Sequence, residues 1–307
     1  MDTKTFDFLN ESTYRELLKL TKAKYTIKGF EVLDCNVIPT SFAIIRHDVD
    51  MSPERALALA KIEAEEGIRA TYTILLTGEF YSPFEKQVRN QISQIAELGH
   101  DIGLHFDAAW HGIETEIQLE DKIQWETEIL TKLLSSDQNH LVRMFSFHNT
   151  TPFTMGCRER SYGGLRNAYA GVLQDQVQYT SDSNGYWIHR SWKTLLDENH
   201  ERIQVLTHPE WWSTYDAYPG EKVTRTLMQR HLVTWANYCD LLQIGNRNNK
   251  LGLRNGQDVL RSLWGEKGEN ILLLWLNGNR NLAALQVWLL LAEKNQEIVL
   301  EISDWQN

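Results

Sequence analysis

The residues able to do chemistry fall in short clusters: His47, Asp48 and Asp50; His105 and Asp107; His148; Asp182; and His208. Aspartate and histidine together form a donor set for a divalent cation, and three protein ligands leave one position open for water or substrate. An ion held that way acidifies a water and polarises a carbonyl, so the chemistry on offer is hydrolytic. Carboxylates and imidazoles not used as ligands can serve as general base and general acid. Each residue alone has an ordinary explanation. A lone histidine is commonly a satisfied core residue, and an aspartate after a strand often caps a helix. It is the grouping that points to a site.

The grouping depends on the elements that carry these residues. Ser41-Phe-Ala-Ile-Ile-Arg46 reads as a buried strand, and Ser52-Pro-Glu opens a helix with Ser as N-cap and Pro at the first helical position. That helix stops at Gly67. Further strands are expected at residues 70–76, 100–105 and 142–147, with two more near 176–180 and 202–206. Helices are expected at about 83–98 and 114–134, the first with Val88, Ile92, Ile95 and Leu98 as its apolar stripe. Alternating strand and helix predicts an α/β fold with a parallel sheet or barrel. His47, Asp48 and Asp50 then follow the first strand, His105 and Asp107 end the third, and His148 ends the fourth. Asp182 follows the fifth and His208 the sixth. In parallel α/β barrels the C-terminal strand ends share one face, where reactive groups gather.

The bulk composition sets limits. The chain has 307 residues and a formal net charge of -10, without a local basic patch, so a nucleic-acid partner is not expected. Three cysteines, Cys35, Cys157 and Cys239, stand far apart, which argues against a disulfide framework or a cysteine zinc site. Residues 1–14 have no apolar run of signal-peptide type, and no apolar run reaches the roughly 18 residues of a membrane span. The expectation is a cytoplasmic protein. The texture changes near Gly220, giving two expected parts: residues 1–219, a barrel with a short N-terminal helical lead-in, and residues 220–307, a mainly helical C-terminal extension. In the second part Thr224 to Leu242 reads as helix. A Gly- and Asn-rich stretch, Gly245 to Gly256, and two apolar runs, Ile271 to Leu276 and Leu282 to Leu291, follow it.

Three segments carry a resemblance. Arg46-His-Asp-Val-Asp50, Gly99-His-Asp-Ile-Gly-Leu-His105 and Leu206-Thr-His-Pro209 resemble the first, second and last motifs of the NodB-homology polysaccharide deacetylases, carbohydrate esterase family 4. The wording is most similar to deacetylase-like proteins of bacterial surface-polysaccharide synthesis. The resemblance spans about Phe42 to Trp212. It implies a distorted (β/α) barrel of NodB type, a divalent metal ion, zinc first, and an acetylated sugar as substrate, either a sugar nucleotide or a glycan intermediate. By resemblance Asp48 is the catalytic base, Asp50 and His105 are metal ligands and His208 is the general acid. Val49 separates two aspartates that the family sets side by side. Ala109 stands where the family has its second metal histidine, so the third ligand is open among His148, Asp107 and His111, with His148 favoured because alternation can aim it into the barrel mouth. The family's third motif carries an arginine that Phe147-His-Asn-Thr-Thr-Pro152 lacks. Asp182 and Trp187 correspond to the fourth motif, where the aspartate orients a charged neighbour. Trp211 and Trp212 could stack on a sugar ring or pack the C-terminal part. Two other functions compete: hydrolysis of a non-sugar amide, and a barrel without catalysis used as a binding module.

Overall fold

The computed structural model describes residues 7–134 and 142–247. In chain order it contains α1 (Glu11–Lys24), β1 (Thr26–Ile27), β2 (Phe42–Val49), α2 (Pro53–Glu65), β3 (Thr71–Leu75), α3 (Lys86–Glu97), β4 (Asp101–Phe106) and α4 (Glu116–Leu134). There follow β5 (Met144–Phe147), α5 (Pro152–Gly156), β6 (Ser161–Tyr162), β7 (Leu165–Asn167), α6 (Gly171–Gln176), β8 (Gln178–Ser181), α7 (Trp192–Asp197), β9 (Arg202–Thr207) and α8 (Pro219–Ile244). Local signals explain several boundaries. The Ser52 hydroxyl accepts from the Arg55 amide to open α2, and Gly67 sits just beyond its end at φ +66°, a left-handed conformation that a side chain would disfavour.

The strands form one curled sheet in the order β6-β7-β5-β4-β3-β2-β9-β8, parallel throughout except for the β6–β7 pair. β6 and β8 are its ends, so the barrel is open and distorted. β1 pairs with Phe42 and Ala43 of β2, below the point where β3 takes over that edge at Arg46. The α/β class and the parallel order are as expected from the strand–helix alternation. β2 runs three residues beyond the expected end at Arg46, so His47 and Asp48 lie within the strand rather than after it.

That extension decides which way each side chain faces. Phe42 and Ile44 point into the barrel, where they pack with Phe30, Val32, Leu33, Ile38, Met144 and Leu173 as an apolar floor. Arg46 and Asp48 continue the same face upward. Gly103 on β4 has the same inward orientation, and a Cβ there would displace the Met144 side chain and crowd the Met144 carbonyl oxygen and Thr73 Cγ2, each 3.0 Å away. His47 faces the other way, toward the helices. Its Nε2 lies 2.8 Å from Glu63 Oε1, and Tyr14 and Tyr72 donate to the same carboxylate at 2.6 and 2.5 Å. His47 Nδ1 meets Thr207 Oγ1 at 2.6 Å. His47 therefore clamps β2 to β9 from the helix side and takes no part in the cavity chemistry.

The chain divides after Lys222 into two compact units. In the second, the described residues complete α8, which covers the expected helix from Thr224 to Leu242. The two expected apolar runs, and the stretch to Gly256 beyond residue 247, lie outside the described residues. Among the described residues no helix is long and apolar enough to cross a membrane.

Candidate metal centre

The C-terminal strand ends enclose a cavity of about 420 Å³ whose lining includes Asp48, Asp50, His105, His148, His208 and Glu210. Asp48 lies deepest. Its Oδ1 accepts from Thr73 Oγ1 at 2.7 Å and Ser146 Oγ at 3.0 Å, and Oδ2 accepts from the Arg46 guanidinium at 3.3 Å. Arg46 is fully buried and also stacks on the Tyr169 ring, 5.2 Å from its centroid. Burial pushes the Asp48 carboxyl up, but Arg46, His105 and His208 outweigh it and hold it below the usual aspartate range. The group is a carboxylate at neutral pH.

Above Asp48, three side chains converge. Asp50 Oδ1 lies 3.1 Å from His105 Nε2 and 3.5 Å from His148 Nδ1, and the two ring nitrogens are 3.1 Å apart. Strand register causes this. β4 and β5 pair His105 with Ser146, so His148 falls two residues further, just past the end of β5 and on the same inward side, beside Asp50. Burial opposes ionisation of Asp50, yet the two imidazoles hold its carboxyl far below the ordinary range. Despite these short approaches Asp50 Oδ1 is buried with no hydrogen bond of good geometry among the described residues. Three donor atoms within 4.8 Å of one another, one of them an orphaned carboxylate oxygen, fit a divalent cation.

The support beneath His105 prepares it for that role. Ser146 has one hydroxyl proton and a carboxylate, Asp48, to receive it, so Ser146 Oγ accepts from His105 Nδ1 at 2.7 Å. A proton on Nδ1 leaves the Nε2 lone pair facing Asp50 and His148, as a ligand requires. Ser146→Ala should therefore weaken zinc affinity by about 10- to 100-fold with little change in the fold. A zinc titration with a competing chelator measures this, and unchanged affinity would remove Ser146 from the account.

His208 stands on the opposite wall, with Nε2 3.9 Å from Asp50 Oδ2. Its Nδ1 is 2.7 Å from Asp182 Oδ1, and its backbone amide donates to the same carboxylate. Asp182 is fully buried, and Trp212 Nε1 donates to its other oxygen at 2.7 Å. Burial pushes the imidazole pKa down, but Asp182, Asp50 and Glu210 together raise it to about 10. His208 is a cation at neutral pH, with its Nε2–H toward the cavity. Glu210 is buried on the same wall, and its burial, together with the Asp50 charge, raises its carboxyl well above the usual range.

The structure thus brings together Asp48, Asp50, His105, His148, His208 and Asp182. It sets Asp107 apart: Oδ1 accepts from the amides of Ala109 and Trp110 and caps the loop after β4. His111 is also outside the donor cluster and the cavity lining, held 2.6 Å from Glu126 and stacked on Phe106. Trp187 lies edge-on to Trp212, 6.3 Å between ring centroids, and outside the cavity lining. Of the two adjacent tryptophans, Trp212 is fully buried behind Asp182, while Trp211 lines the cavity. Sequence reasoning passed over Arg46, Ser146, Tyr169 and Glu210. Arg46 and Ser146 alternate inward with Asp48 and Met144, a signal that was available once the strand ends were placed; Glu210 gave none.

No protein-family model matches the chain, and no curated protein matches it. Among solved structures it is similar to a CE4 family pseudoenzyme from Bacillus anthracis and to a mutant of that protein with restored enzymatic activity. Each is 13% identical with a TM-score of 0.33. The matches cover 62% of this chain and 60% to 62% of those chains, so this chain spans less than two-thirds of their length.

Proposed function

We propose that this chain is a metal-dependent deacetylase of the NodB-homology kind, which hydrolyses an acetyl group, N-acetyl first, from a sugar substrate. The observation that carries the reading is one cavity with three convergent donors, Asp50, His105 and His148, flanked by a carboxylate and an imidazolium. Zinc is the ion the two imidazoles and one carboxylate suit best. When bound there, a divalent ion supplies polarisation of the acetyl carbonyl and acidifies a water. Asp48, ionised at neutral pH, receives the proton of the attacking water. Its depressed basicity is tolerable because the water is acidified. His208 donates the Nε2 proton to the leaving nitrogen, and Asp182 keeps the ring turned for that donation. Arg46 supports the same reading: it supplies from β2 the arginine that the third motif lacks, and its buried guanidinium, 3.2 Å from Asp48, keeps that carboxyl ionised.

Release of acetate tests the reading. Zinc-loaded full-length protein should liberate acetate from N-acetylglucosamine oligomers or an N-acetylated sugar nucleotide. Turnover of simple amides with none from any acetylated sugar would favour the non-sugar amidohydrolase instead.

A further inference from the structure

The chain passes from β7, next to one end of the sheet, to β8, at the other end, by way of α6. At that crossing lies a second cavity, of about 260 Å³. Ala168, Leu173 and Val177 give it an apolar wall, and Tyr169 and Tyr179 line both this cavity and the one that holds Asp50 and His208. None of the three metal donors borders it, and among the described residues its lining carries no charged side chain. Gln204 on β9 supplies its free polar group. The register pairs Gln204 with Ile44 of β2 and Tyr179 of β8, so it shares their inward face. The residue is 4% exposed, and its side-chain amide has no hydrogen-bond partner among the described residues. The amide atoms keep accessible surface, unlike the sealed carboxyl oxygens of Glu210, and that surface opens on this cavity. The other amide in the lining is engaged: Gln174 Nε2 donates to the Tyr169 carbonyl at 2.6 Å, and its Oε1 accepts from Arg158 at 3.2 Å. Gln204 is left with a donor and an acceptor side by side.

We propose that this cavity is a second binding site, for a neutral aromatic ring that carries a primary amide or lactam edge. The ligand is neutral because a charge here would lose its water and meet no counter-charge in the lining. Its edge is fixed by Gln204. An amide or lactam sets a donor beside an acceptor and pairs with the glutamine through two hydrogen bonds, the geometry by which glutamine reads the edge of an adenine. Its body is a ring because two tyrosines and Met155 offer ring–ring and sulfur–aromatic contacts around the apolar wall. A cavity of about 150 Å³ already admits benzene, so this one has room for a ring and its amide. In the free protein water satisfies Gln204. The ligand replaces that water and covers the apolar wall as well.

Calorimetry on the zinc-loaded full chain tests the site with three probes: benzamide, N,N-dimethylbenzamide, which has no N–H, and toluene, which has no amide. Benzamide should bind one to one, about 10- to 100-fold more tightly than either of the others. Gln204→Leu should bring benzamide down to the level of toluene, while the melting temperature stays the same or rises because no hydrogen bond within the protein is lost. Val177→Phe, which keeps Gln204 and fills the cavity, should abolish binding of all three probes and leave zinc uptake unchanged. Absence of benzamide binding would overturn the proposal, as would equal affinity for benzamide and its dimethyl form. Benzamide binding that survives Gln204→Leu would also overturn it, by placing the amide at the metal cavity. Should Gln204→Leu fail to fold, Val177→Phe decides: undiminished benzamide binding with the cavity filled would sink the site. No turnover enters these readouts, so the deacetylase reading stands or falls separately, on acetate release.

Discussion

His208→Asn should lower kcat on an N-acetylated substrate by about 10²- to 10⁴-fold, the usual contribution of a positioned acid. An amine leaves poorly without a proton, and His208 Nε2 is the N–H held over the cavity by Asp182. An ester's alkoxide needs that proton less, so the loss on an O-acetylated sugar should be smaller. Equal losses on both would contradict the acid role. The pH dependence follows with a definite sign. The active form is the protonated one and its pKa is raised to about 10, so activity falls as pH rises through that region, or somewhat lower with a cation bound nearby. Asp182→Asn removes the first of the influences that raise it. The alkaline limb of the kcat profile should then move toward neutral pH; a limb that stays put would show that Asp182 does not control this proton. The same linkage acts on stability: the ion pair's contribution is complete below the unfolded histidine value, near 6.5, and is lost as pH rises through about 10.

Asp48→Asn should produce the second large effect, in two measurements at once. Activity should fall by about 10²- to 10⁴-fold because the proton acceptor is gone. Stability should fall by about 3–5 kcal/mol, because the buried Arg46 guanidinium loses its counter-charge. Zinc should still bind, since Asp50, His105 and His148 are untouched. Chemical denaturation, zinc titration and kinetics on one preparation separate these outcomes. Retained activity would move the base elsewhere. Lost zinc binding would make Asp48 a ligand and reverse the roles assigned to the two aspartates. The Asp48 carboxyl is held below the usual range, so its stabilising ion pair is present above the unfolded aspartate value, near 3.9. It is lost only as pH falls well below that value.

How far the sequence reaches can be judged residue by residue. The strand–helix alternation was enough to place Asp50, His105, His148 and His208 at one end of a parallel sheet: the three histidines sit one or two residues past an apolar run, and Asp50 five past Ile45, ahead of the next helix. Choosing among His148, Asp107 and His111 needed the β4–β5 register, which follows from packing and cannot be read off either strand alone. The extent of β2 was underestimated because Arg46, His47 and Asp48 look like a loop. They are tolerated inside a strand only because Asp48 and Tyr169 receive Arg46 and Glu63 receives His47. α5, α6 and α7 span two turns or fewer, too short to show a helical period. Glu210 looks like any acidic residue in a loop, and only its burial without a partner marks it.

The most direct test of the central claim is zinc stoichiometry, measured by elemental analysis, together with acetate release for wild type, Asp50→Ala and His105→Ala. The account predicts about one zinc per wild-type chain and acetate released from an N-acetylated sugar. Both variants should stay folded and lose zinc and acetate release together. A well-folded wild type that takes up no divalent metal even in excess, or variants that release acetate at the wild-type rate, would contradict it.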